Sequence, residues 1–127
     1  MRELMCAAGV MLLTLLALAF FSTAAAHHSA VFYDSAKVVA LQGTLQRVQI
    51  SNPHSWLWLV VDKGNDQQDV WALASYSATM LAKRYGPGVW TEITAGQKVT
   101  VKIHPLRDGR RSGSVISIVL ANGKVLN

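Results

Sequence analysis

Four histidines and, beyond position 6, no cysteine set the chemistry this chain can offer. His27 and His28 are adjacent near the start, His54 closes the triplet Asn52-Pro53-His54, and His104 stands alone. If the chain is cut after Ala26, His27 presents a free α-amine beside its imidazole. Amine and ring together chelate a divalent ion, and His28 and His54 can supply further ring nitrogens. Such donors suit Cu(II), and also Zn(II) or Ni(II), with Cu(II) the strongest binder of the divalent series. A cut one residue earlier leaves Ala26-His27-His28, with an imidazole at the third position, which is the amino-terminal copper and nickel chelate. Asp34 is the one nearby carboxylate able to orient a ligating ring from behind. Against this stands a plainer reading, in which an exposed His-His has incidental affinity and His54 hydrogen-bonds its own turn. His104 lies on a different strand and points outward, as a surface residue.

A second chemistry resides in tryptophan. Trp56 and Trp58 share a face of one strand, and aromatic rings on a barrel face stack sugars or bases. Arg110, in the basic loop that also holds Arg107 and Arg111, adds charge to such a ligand face. The competing reading is core, because indoles bury large areas and a small domain without disulfides needs them. The chain offers no nucleophile motif, no Gly-rich phosphate loop and no carboxylate pair spaced for glycoside chemistry. Ser29, Ser51 and Ser55 read as ordinary turn and cap residues. The expectation is a non-enzymatic binding module for a divalent metal, copper first, through His27, His28 and His54. The alternative is a metal-free interaction or ligand-binding barrel that uses the aromatic face or the basic loop.

The elements that must position these residues begin with a targeting segment. Arg2 gives a short basic start, Met5 to Phe21 is almost wholly apolar, and Ser22 to Ala26 is a run of small residues. This is the order of a secretory signal peptide, with Ala24-Ala25-Ala26 as the cleavage site. An uncleaved anchor is the other reading, since the apolar run approaches the ~20 residues that span a bilayer. The expected organisation is a signal peptide over 1–26 and one domain over 27–127, periplasmic or secreted and free of the membrane once cut. Cys6 leaves with the signal, so the fold must rest on its core rather than on disulfides. The net charge of +5 is unchanged by removing Arg2 and Glu3. With no block of like charges, it reads as a solvated surface rather than a polyanion site. Export argues against a nucleic-acid partner and for a periplasmic protein or small ligand.

Strands dominate the remainder. Val38 to Ile50 places Val39, Leu41, Gly43 and Leu45 on one face and then changes parity near Arg47 to Val48 and Ile50, the mark of a β-bulge. Gly43 adds a place for a sharp bend. Ser55 to Asp62 is a second strand, Lys63-Gly64-Asn65-Asp66 a hairpin connection, and Asp69 to Ser75 a third strand. Ala78, Leu81, Ala82 and Tyr85 follow helical spacing, capped by Ser77 and stopped by Gly86-Pro87. Val89 to Ile93 reads as a linker or short edge strand. Lys98 to His104 alternates cleanly, with Val99, Val101 and Ile103 inward. Ser114 to Leu120 and Val125 to Leu126 complete the set, separated by the hairpin signal Asn122-Gly123. Val31, Phe32 and Tyr33 are expected to anchor an extended arm. The sum is an all-β, five- to six-stranded antiparallel barrel of the oligonucleotide/oligosaccharide-binding (OB) type, with one short helix between strands 3 and 4.

Several of these residues also carry a resemblance. They are His27-His28-Ser29, Tyr33-Asp34, Gly43-Thr44-Leu45, Asn52-Pro53-His54 before a Trp-rich strand, Gly96, Asp108-Gly109 and Asn122-Gly123. Together they resemble a family of small exported bacterial proteins known only as a domain of unknown function. The resemblance spans essentially the whole mature chain. It implies an exported β-barrel domain of Gram-negative bacteria and brings no established activity. The chain departs from the family pattern at Ala74, where an acidic residue is usual, so a cation held by that acid would be held differently here. Export by a bacterial host should yield protein whose intact mass begins at His27; the mass of the full chain would show an anchor instead.

Overall fold

The computed structural model describes residues 31–127. Within Phe32–Asn127 the chain forms β1 (Val39–Gln49), β2 (Ser55–Gly64), β3 (Gln67–Ser75), α1 (Ala78–Tyr85), α2 (Val89–Glu92), β4 (Lys98–Pro105), β5 (Ser112–Val119) and β6 (Val125–Leu126). Among the described residues, no helix is long and apolar enough to cross a membrane.

The long first strand builds the barrel by pairing on both edges. Its first half, Val39 to Thr44, runs antiparallel to β4, and its second half, Thr44 to Gln49, antiparallel to β2. The changeover falls beside Gly43, where a Cβ would collide with the carbonyl oxygen of Val60. The expected bulge is present as a register shift between Leu45 and Arg47. It lets Leu41 and Leu45 face the core before the bulge and Val48 pack against the core after it.

Closure departs from the expected all-antiparallel ring. β3 and β5 pair in parallel, Ala72 with Ser112, Leu73 with Gly113 and Ala74 with Ser114, giving the cyclic order β1-β2-β3-β5-β4. The reason is topological: strand direction alternates across each antiparallel pair, so a ring of five needs a parallel pair to close. β6 adds to β5 outside the ring.

The turns follow local chemistry. Asn65 and Asp66 both take positive φ, 53° and 58°, as a tight two-residue hairpin turn requires. The strands therefore run further toward the turn than expected, to Gly64 and from Gln67. β5 starts two residues earlier than expected because Ser112 already pairs with Ala72. In α1, the Ser77 hydroxyl accepts a hydrogen bond from the Met80 amide at 3.1 Å, and the Gly86 amide donates to the Ala82 carbonyl at 2.9 Å. Val89 to Glu92 is a helical turn, not the expected linker or edge strand. Val89 and Ile93, four apart, are both buried, and helical spacing alone puts them on one face against the core.

Leu45, Leu59, Leu73, Val101 and Ile103 are fully buried and form the centre of the core. Trp71 and Trp90 pack on its margin. The arm before β1 is tied mainly by backbone: the Arg107 amide donates to the Phe32 carbonyl at 2.9 Å, and the Asp34 amide to the Pro105 carbonyl at 2.8 Å. Tyr33 bridges to Leu106, and burial raises the pKa of its phenol. The Val31 and Phe32 side chains, 65% and 57% exposed, do not serve as the apolar anchors expected of them. Gly43→Ala should destabilise the domain by about 1–3 kcal/mol, the usual cost of overpacking, measured by urea unfolding; an unchanged midpoint would show that β1 and β2 do not approach this closely.

Candidate functional site

On β2 the fully or nearly buried Leu57 and Leu59 alternate with Trp56 and Trp58, so strand geometry sends the two indoles to the outer surface, where both are half-buried. Their ring centroids lie 6.5 Å apart, tilted by 34°. The guanidinium of Arg47 sits 4.4 Å from the centroid of Trp58 and donates through Nη2 to Gln49 Oε1 at 3.1 Å. A cation over an indole face is attracted by the ring quadrupole, so Gln49, Arg47 and Trp58 hold one another in a fixed arrangement. The bulge places Arg47 opposite Trp58 and Gln49 opposite Trp56.

The outer surface continues across β3 and β5 over small side chains. Trp56 is opposite Ala74 and Trp58 opposite Ala72. Ala72 and Ala74 in turn neighbour Ser112 and Ser114, and Ser114 neighbours His104. The Ser112 hydroxyl donates to the Ala72 carbonyl at 2.6 Å, leaving a low floor beside the indoles. Ala74 is buried within this floor.

The β1–β2 loop borders the face at one end. Asn52-Pro53 is a cis peptide. The Ser51 hydroxyl donates to the His54 carbonyl at 2.8 Å, and Asn52 Oδ1 accepts from the amide and hydroxyl of Thr79 at 3.2 and 3.3 Å. The loop is thereby clamped to the start of α1. His54 is exposed; the bond within its turn is made by its carbonyl, and its ring has no hydrogen bond among the described residues. His27 and His28 lie outside the described residues. Among the described residues, no group of three or more His, Cys, Asp or Glu could hold a metal.

Among the described residues, Asp34 pairs with no histidine. Its carboxylate lies 3.6 Å from both Lys37 Nζ and Arg107 Nη1 and accepts from the Ala36 amide at 3.3 Å, so it fastens the arm. His104, expected as a free surface residue, is half-buried, and its Nδ1 donates to the Lys37 carbonyl at 2.8 Å. Arg110 is held within its own turn: its Nε and backbone amide donate to Asp108 at 2.7 and 3.0 Å, and these bonds, the backbone one first, lower the pKa of the Asp108 carboxyl. Arg111 and Lys63 pair with Asp69 at 2.8 and 3.4 Å. The basic loop thus spends its charge locally, and the cation that joins the tryptophans is Arg47. The parity change near Arg47 was the sequence signal for it.

A closed five-stranded barrel with β3 parallel to β5 and a helix between β3 and β4 defines an OB-like domain. The chain belongs to a family of unknown function, DUF6152, whose model matches residues 15–115. A crystal structure of the mitochondrial single-stranded DNA binding protein Rim1 from S. cerevisiae superposes with a TM-score of 0.50 at 10% identity, covering 67% of this chain and 92% of that one. A second crystal form of Rim1 gives 0.48 at 11% identity, covering 67% and 93%. No curated protein matches.

Because Trp58 lies outside the core and Leu59 at its centre, Trp58→Ala should cost about 1 kcal/mol or less, as surface substitutions do. Leu59→Ala should cost about 2–5 kcal/mol. Chemical denaturation of the two variants compares them; equal losses would place Trp58 in the core.

Proposed function

We propose that this chain is a non-enzymatic binding module of an exported protein, and that it binds through the outer face of β1 to β3. The observation that carries this reading is the pair Trp56 and Trp58, held outside the core with Arg47 stacked on Trp58. Two large indoles left half-exposed forgo burial that would stabilise a domain without disulfides. Their fixed arrangement lowers the ordering cost of a ligand that stacks on them. The OB architecture supports the reading at the level of fold, since such barrels present this face to oligonucleotides and oligosaccharides. Rim1 is named for binding single-stranded DNA, so oligonucleotides belong among the ligands tested, although export argues against them.

Titration calorimetry against soluble oligosaccharides and oligonucleotides tests this face. Stacking on an aromatic side chain is worth about 1–3 kcal/mol by alanine substitution, so any ligand that scores should lose roughly tenfold or more in affinity in Trp58→Ala. A ligand bound equally well by Trp56→Ala and Trp58→Ala would overturn the assignment.

Divalent metal binding by His27, His28 and His54, copper first, is the second reading. What supports it in the structure is the exposed, unengaged ring of His54 beside the rigid Asn-Pro turn. Cu(II) titration of exported, processed protein should then give one tight site lost in both His27→Ala and His54→Ala. Weak binding insensitive to His54 would remove the metal and leave the aromatic face.

A further inference from the structure

The outer surface of β2 does not end at the tryptophans. Trp56, Trp58, Val60 and Asp62 follow one another on the same side of the strand, a track of about 20 Å at the usual rise per residue. Its far half opens into a groove of about 800 Å³ where the β2–β3 hairpin diverges from β1 and β4. The groove lies within the barrel unit and is distinct from the small-residue floor on the opposite side of the indoles.

Its lining mixes the apolar surfaces of Val60, Val99, Val119 and Leu120 with polar side chains. Gln42, Gln46 and Gln68 contribute amides, Thr44 and Thr100 hydroxyls, and Asp62 and Lys98 one charge of each sign. Strand pairing brings them together: Thr44 is opposite both Val60 and Lys98, Gln42 is opposite Thr100, and Asp62 is opposite Gln68. Among the described residues, none of the three glutamine side chains is engaged in a hydrogen bond. Side-chain amides and hydroxyls both donate and accept, which matches a ligand whose own groups are hydroxyls. A groove that tracks a polyphosphate needs an excess of lysine and arginine, whereas here Asp62 and Lys98 cancel.

We infer that this groove, continuous with the Trp56–Trp58 pair, is the binding site for a neutral oligosaccharide, whose rings stack on the indoles while its hydroxyls pair with Gln42, Gln46 and Gln68. The inference rests on the outer-face reading for its aromatic end and adds the groove and the ligand class. Gln42 and Gln68 are exposed strand residues outside the core, so their substitution leaves the fold in place, and circular dichroism checks that it does.

The test is an array of neutral α- and β-linked oligosaccharides probed with exported, processed protein, followed by calorimetry with a hexasaccharide that scores. Gln42→Ala and Gln68→Ala should each weaken that hexasaccharide about five- to tenfold, Trp58→Ala should weaken it at least tenfold, and affinity should be insensitive to salt. Loss in Trp58→Ala with no change in either glutamine variant would overturn the groove and leave the aromatic face standing. Binding unaffected by all three variants would overturn both. No neutral glycan bound, or preferred binding of an oligo(dT) probe with steep salt dependence, would overturn the ligand class.

Discussion

The single extra residue in β1 between Leu45 and Arg47 is the constraint on which the outer face depends. Before it, alternation buries Leu41 and Leu45; after it, the parity reverses, so that Val48 packs against the core while Arg47 and Gln49 turn outward. Without the bulge the register of β1 against β2 would slip by one, and a one-residue slip exchanges the faces of a strand. Arg47 would then point at the core, where an unpaired guanidinium is costly to bury, and Trp58 would lose its partner. The same strand changes partner beside Gly43 and so pairs on both edges, and one element thereby closes the barrel and presents the site.

Stability and function are assigned to opposite sides of the same strands. The inward row of β2, Leu57 and Leu59, meets Leu73, Val101 and Ile103 in a core made almost wholly of aliphatic side chains. The outward row carries indoles over a floor of alanine and serine. Small residues at 72, 74, 112 and 114 are what leave the indole edges accessible; larger side chains there would cover them. The loops at the rim are fastened by their own polar contacts, Asn52 to Thr79 and Arg110 to Asp108, so they frame the face without needing a ligand to order them.

Much of the fold was legible because its signals are local. The alternation of Val99, Val101 and Ile103, the Ser77 cap and Gly86 stop of α1, and the Asn122-Gly123 turn each depend on neighbours in sequence, and each element formed where it was read. The parallel β3–β5 pair was not legible, since it follows from the parity of the whole ring and from no single segment. Val89 to Ile93 looked strand-like from its β-branched and aromatic residues, yet tertiary burial of Val89 and Ile93 imposed a turn of helix. The site was read in part. The shared face of Trp56 and Trp58 followed from spacing, whereas the choice of Arg47 over Arg110 as their cation depended on a bulge whose position was seen but whose cross-strand neighbour was not.

Where a ligand touches the protein decides whether the outer face is the binding surface, and nuclear magnetic resonance of the four indole Nε1–H groups reads that location. Titrating a bound oligosaccharide into protein labelled at tryptophan should shift the resonances of Trp56 and Trp58 and leave those of Trp71 and Trp90, which lie at the margin of the core, in place. Shifts confined to Trp71 and Trp90, or none at all during saturable binding, would contradict the outer face as the binding surface.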